Sequence, residues 1–303
     1  MFERYEPFDV DVGEVRIAGR RSVGPAGLPP VLLLHGHPQT HLIWHRLADE
    51  LAEHADVVAA DLRGYGASGK PAGGGDHAAY AKRTMAADMV ALMQTFAHDR
   101  FLVAAHDRGA RVAARLALDH PDALTSALLL DVAPTSLMYA ATDRAFATAY
   151  FHWFLLIRPE PLPERLLAAD PRAYVEGVLG GRHAGLAPFP PEVVDAYVQA
   201  LAAPGTAHGI CEDYRASAGI DLEHDEADRA AGARTPVPLR VLWGAHGVVG
   251  RFEPLDAWRG WAHQVSGRAL DCGHYLPEER PDDVLAEILA LLVAGAPTAL
   301  PQP

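Results

Sequence analysis

The chain has 303 residues, half of them hydrophobic and 21% charged, with a formal net charge of −13. That is the composition of a folded globular protein with a sizeable core, and its acidity speaks against nucleic acid or an anionic membrane as a partner. Cys211 and Cys272 are the only cysteines, too few for a disulfide framework or a thiolate zinc site, and both read as buried thiols.

The chain opens on MFERYEPFDVDVGEV, with acidic residues where a secretory signal would be basic and then apolar. No run reaches the ~18–20 apolar residues of a membrane span, so a cytoplasmic location is expected. Apolar runs of strand length follow: VLLLH (31–35), VVAADL (57–62), FLVAAH (101–106), SALLLDV (126–132) and LRVLWGA (239–245). Helix-like stretches such as RTMAADMVALMQTF and RVAARLALDHP separate them, which predicts an α/β fold with a mostly parallel sheet flanked by helices. Ligands in such sheets sit beyond the carboxyl ends of the strands, where His35, Asp61, Asp107 and Asp131 all fall.

From about Ser136 to Arg234 the strand rhythm stops, and DRAFATAYFHWFLL and PPEVVDAYVQALA read as helices. Residues 136–234 are therefore expected to form a helical insertion between two parts of one core, 1–135 and 235–303. The tail after Val293 is expected to fray.

Chemistry concentrates at Ala105-His106-Asp107-Arg108-Gly109, between a strand-like and a helix-like run. Strand, sharp turn with a nucleophile, then helix is the nucleophile elbow, with Ala105 standing for its first glycine. At the start of a helix the dipole favours ionised Asp107, and a carboxylate attacks carbon without a base to activate it.

The chain resembles the α/β-hydrolases with an aspartate nucleophile, and among them the fluoroacetate (haloacetate) dehalogenases. The resemblance covers nearly the whole chain. It is carried by LLLHGHPQTHLIWHRLADELA, DLRGYGASGKP, HDRGARVAARLALDHP, LLLDVAPT, YFHWFLL, CEDYRASAGIDLEHD, LWGAHG and CGHYLPEERPDD. HDRG followed by a second arginine, with His-Trp and EDYRA in the insertion, is its most specific part. It implies an α/β-hydrolase core with residues 136–234 as a helical cap, Asp107 as nucleophile, Asp131 as acid and His274 as base. It further implies Arg108 and Arg111 as a clamp on the substrate carboxylate, and His152, Trp153 and Tyr214 as the halide pocket. The backbone amides of His37 and Arg108 are implied as the oxyanion hole.

Each role has a physical reason. Two guanidinium forks one helical turn apart can fix a carboxylate, and N–H or O–H donors stabilise a departing halide. The implied reaction is hydrolytic dehalogenation of a short 2-haloacid, fluoroacetate to glycolate, with no cofactor and no metal. The expected partners are the small acid and water, and the resemblance implies a homodimer. The nearest alternative is an epoxide hydrolase, which shares the aspartate but has little use for two arginines beside it. A non-catalytic binding protein of the same fold would not need the full Asp107–Asp131–His274 set.

Several residues read more plainly. His35 braces the oxyanion loop, His106 packs the elbow, Asp61 and Arg63 steady the loop before GYGAS, and Trp44 and Trp243 pack. The acids and histidine of EDYRASAGIDLEHDEAD lack metal-ligand spacing and read as a solvated helix face.

Overall fold

The structure, a computed structural model, describes residues 1–296. Eight strands form one sheet: β1 (Glu6–Asp11), β2 (Arg16–Ser22), β3 (Val31–Leu34), β4 (Val57–Ala60), β5 (Phe101–His106), β6 (Leu124–Leu130), β7 (Leu239–Gly244) and β8 (Val265–Leu270). Their order is β1-β2-β4-β3-β5-β6-β7-β8. β2 pairs antiparallel with β1 and with β4, and every later pairing is parallel. The five runs expected from the sequence are β3 to β7.

Every residue of β3, β4 and β5 is buried, as strands covered by helices on both faces require. Alternation divides their side chains between two cores. Leu32, Leu34 and Val103 pack with Met89 and Leu116 on one face. Leu33, Leu102 and Trp44 pack with Ile288 on the other. Between β6 and β7 the described chain is helical from Thr135 to Ala230, without a strand. Its helix Thr206–Ala218 is buried over most of its length, so this segment is anchored on the core. The last helix, Pro281–Gly295, runs into the stretch expected to fray, and residues 297–303 of that tail lie outside the described residues. No described helix is long and apolar enough to cross a membrane.

The chain leaves β3 toward β4 on one side, while β5 lies on its other side. A crevice opens at the carboxyl ends of the strands wherever the order reverses in this way. The β3 loop with Gly36 and His37 meets the β5 turn with Asp107 there.

Candidate active site

Asp107 stands between β5 and the helix Arg108–Asp119 with φ 47° and ψ −108°. A non-glycine residue in such a region costs about 1–3 kcal/mol, and it persists only where its surroundings enforce it. Here the Asp107 amide donates to the Leu130 carbonyl (3.1 Å) and the Gly109 amide to the His35 carbonyl (2.8 Å). Two glycines permit the approach. A Cβ on Gly109 would lie 2.5 Å from the His35 oxygen, and one on Gly36 would lie 2.6 Å from the Asp107 Cβ. The loops touch as a result, and the His37 amide donates to Asp107 Oδ1 at 3.1 Å. The Arg108 amide, the other expected oxyanion donor, opens the helix directly after Asp107.

Asp131 follows β6, also at positive φ (49°). Its Oδ1 accepts from the Gly244 amide at 2.9 Å, and its Oδ2 lies 2.5 Å from His274 Nδ1. The other imidazole nitrogen of His274, Nε2, is 4.0 Å from Asp107 Oδ2. His106 Nε2 donates to the His274 carbonyl at 2.8 Å, so His106 also helps to place the base. The expected nucleophile, acid and base are therefore together, although they stand 107, 131 and 274 along the chain. One Asp107 oxygen is held by a backbone amide, and the other faces His274.

Burial works against a charge on Asp107, but His274, Arg111 and Arg108 outweigh it and hold the carboxyl well below the usual carboxylate range. Asp107 is ionised at neutral pH. Burial lowers His37 and His106 to about 3 and pushes His152 well below the ordinary histidine value. These three rings are neutral, with one donor and one acceptor nitrogen each.

The two arginines are unequal. Arg108 gives Nε and Nη2 to the Asp213 carboxylate (2.8 and 2.9 Å) and Nη2 also to Ser217 Oγ (2.6 Å). Burial disfavours its charge, but Asp213 overrides that and raises Arg108 well above its ordinary value. Arg111 donates to the Ala133 carbonyl (3.1 Å) and Thr135 Oγ1 (2.6 Å) and meets no carboxylate in these contacts. Burial, and then the neighbouring Arg108 charge, lower it. Its charge is the less compensated of the two.

Aromatic rings close the space above them. The Arg108 guanidinium lies 4.1 Å from the Tyr214 ring centroid and that of Arg111 4.7 Å from Trp153. The His152 and Tyr214 rings are 5.9 Å apart, and the His37 ring stacks on His152 at 5.6 Å. The His37 side chain, at 2.9 Å from the Tyr174 hydroxyl, is thus part of the wall. Among the described residues' buried donors without a hydrogen-bond partner are four of this site: Arg108 Nη1, Arg111 Nε, Trp153 Nε1 and Tyr214 OH. Buried donors are seldom left unmade, at a cost of about 1–3 kcal/mol each. Four of them beside one carboxylate suit an anionic ligand.

The sequence reading missed the partners behind the site. Asp213 holds Arg108 and Lys82 and accepts from the Tyr65 hydroxyl at 2.8 Å. The signal was adjacent, since Asp213 precedes Tyr214 in EDYRA and Tyr65 is the tyrosine of GYGAS. Glu212, Asp213 and Asp221 are buried, so EDYRASAGIDLEHDEAD is not the solvated face expected of it, whereas the residues that follow take the plain places foreseen for them. His35 bonds the Gly36 carbonyl and the Leu62 amide. Asp61 caps its loop through the His41 and Ala67 amides, and Arg63 pairs with Asp88. Trp44 is in the core, and both thiols are buried and free.

The α/β-hydrolase fold family matches residues 29–281. A fluoroacetate dehalogenase from Burkholderia sp. is 42% identical over 100% of this chain and 98% of its own. A soluble epoxide hydrolase from Corynebacterium sp. (strain C12) is 32% identical over 84% of this chain and 87% of its own. A crystal structure from Nostoc sp. PCC 7120, assigned to the α/β hydrolases, superposes with a TM-score of 0.91 at 46% identity, covering 96% of this chain and 99% of that one. The chain belongs to the α/β-hydrolase family and is related along its whole length to a fluoroacetate dehalogenase.

Proposed function

We propose that this protein is a hydrolase of carbon–halogen bonds that converts short 2-haloacids, fluoroacetate among them, to 2-hydroxyacids. The carrying observation is the set of unpartnered buried donors on Arg108, Arg111, Trp153 and Tyr214 around an ionised Asp107. A 2-haloacid presents an anion and, one bond away, a developing halide, and it needs donors of both kinds.

In the first step Asp107 Oδ2 attacks the α-carbon, the carbon–halogen bond breaks, and an ester forms on Asp107. Arg111 and Arg108 Nη1 hold the substrate carboxylate, so attack starts from a fixed geometry. His152, Trp153 and Tyr214 offer donors to the halide, where removing one such donor typically costs about 3–4 kcal/mol of barrier. In the second step His274, held by Asp131, takes a proton from water, and the hydroxyl adds to the Asp107 carbonyl carbon. The oxyanion forms on Oδ1, beside the His37 amide and the Arg108 amide. Collapse breaks the ester, and the product oxygen takes the proton from His274. The sum is haloacid anion plus water to hydroxyacid anion, halide and a proton.

Residues 136–234 act as a cap that supplies the halide donors and excludes water during the first step. The enzyme works in the cytoplasm as a homodimer, on a small acid and water without a cofactor or metal. The second reading, epoxide hydrolysis, is favoured by the unpartnered Tyr214 and Tyr139 hydroxyls, which could protonate an epoxide oxygen. It leaves the poorly compensated Arg111 charge without a purpose. Halide release from haloacetates beside diol formation from an epoxide panel separates the two.

A further inference from the structure

The helical insertion holds a cleft of about 590 Å³ whose wall includes His152, the inner halide-pocket residue, together with Arg144, Thr148, Val178 and Arg182. Among the described residues no acidic side chain lines it. The acids nearest in sequence are committed elsewhere, Asp143 to Arg251 and Glu176 to Arg172. Arg144, at the outer end, is exposed. Arg182 is half-buried, donates to the Ala149 carbonyl at 3.0 Å, and lies 4.4 Å over the Tyr150 ring. It also lines a second, smaller hollow of about 120 Å³ that touches Tyr150 and His274. The guanidinium therefore stands between the surface and both halves of the site. Its charge acts on His152, after burial, in keeping that ring neutral, and it is felt at Asp107.

A chain with net charge −13 repels the anion it is proposed to consume. A cleft lined by one sign of charge and walled by low-dielectric protein focuses the field and raises the local anion concentration. We propose that this cleft is the substrate's entry path and that Arg182 is a positioning residue, drawing the carboxylate from solvent toward Arg111. Arg144 begins the same path outside. The inference rests on the haloacid reading of the site.

The test is steady-state halide release from chloroacetate over a salt series, with wild type, Arg182→Gln, Arg182→Lys and Arg144→Gln. Arg182→Gln should raise KM by about five- to tenfold, leave kcat within about twofold, and flatten the salt dependence of KM. Arg182→Lys should recover most of the loss because charge is what acts. Arg144→Gln, at an exposed position that does not threaten the fold, should change KM in the same direction by less. Unchanged KM and salt slope in Arg182→Gln would overturn the entry role while leaving the haloacid reading intact. So would a loss of kcat as large as that of kcat/KM, or a Lys variant as impaired as the Gln one. A wild type that releases no halide from any haloacetate removes the haloacid reading and this inference together.

Discussion

Asp107 and His274 must both be free of a proton in the proposed reaction. The first step needs Asp107 ionised, and its cationic surroundings keep it so far into acid. The second needs His274 unprotonated. Ester formation on Asp107 should therefore persist into acid, with halide appearing as a burst of about one equivalent. Rapid-quench mass analysis across a pH series checks this; a burst lost in mild acid would speak against it. His274→Ala should trap the same ester at neutral pH, seen as an added mass on the peptide that contains Asp107. These residues were legible because their signals are local: an elbow in five residues, a strand-end aspartate, a late histidine. Asp213 was not, since its partner Arg108 lies 105 positions away and only the fold joins them.

At the scale of elements, the helix Thr206–Ala218 fastens the insertion to the core through Asp213, which holds Arg108 and Lys82 where all three are buried. Removing one member of such a set strands the others. Asp213→Ala should destabilise the protein by about 3–5 kcal/mol and release Arg108 from its place over Tyr214. Denaturant unfolding measures the first effect and KM for the haloacid the second; a stable variant with wild-type KM would contradict this anchoring role. β3 to β7 could be read from sequence because strands buried on both faces are continuous apolar runs. β1, β2 and β8 could not. EPFDVD and VSGRAL are largely exposed edge strands, and RIAGRRS carries three arginines into the antiparallel part of the sheet. Their character comes from position in the sheet, which a local pattern does not carry.

For the whole molecule, stability and pH are linked through Asp225, in a narrow hollow behind Arg111 that is also lined by Thr135, Asp221 and His224. Burial, with the Asp221 charge added, pushes Asp225 from 3.8 up to about 6. The folded state thus holds a proton that the unfolded chain releases. The contribution is fully present below about 4 and is lost as pH rises through 6, a difference of about 2–3 kcal/mol. Asp225→Asn should raise the melting temperature at neutral pH, with the gain vanishing near pH 4; a pH-independent difference would rule this linkage out.

The central claim is that the arginines and the halide donors are arranged for a haloacid. Its most direct test is fluoride release from fluoroacetate by the purified protein, followed with a fluoride-selective electrode beside an epoxide panel. The account predicts stoichiometric fluoride and glycolate, abolished in Asp107→Asn, and no diol from epoxides. Epoxide turnover without halide from fluoro-, chloro- or bromoacetate would contradict it.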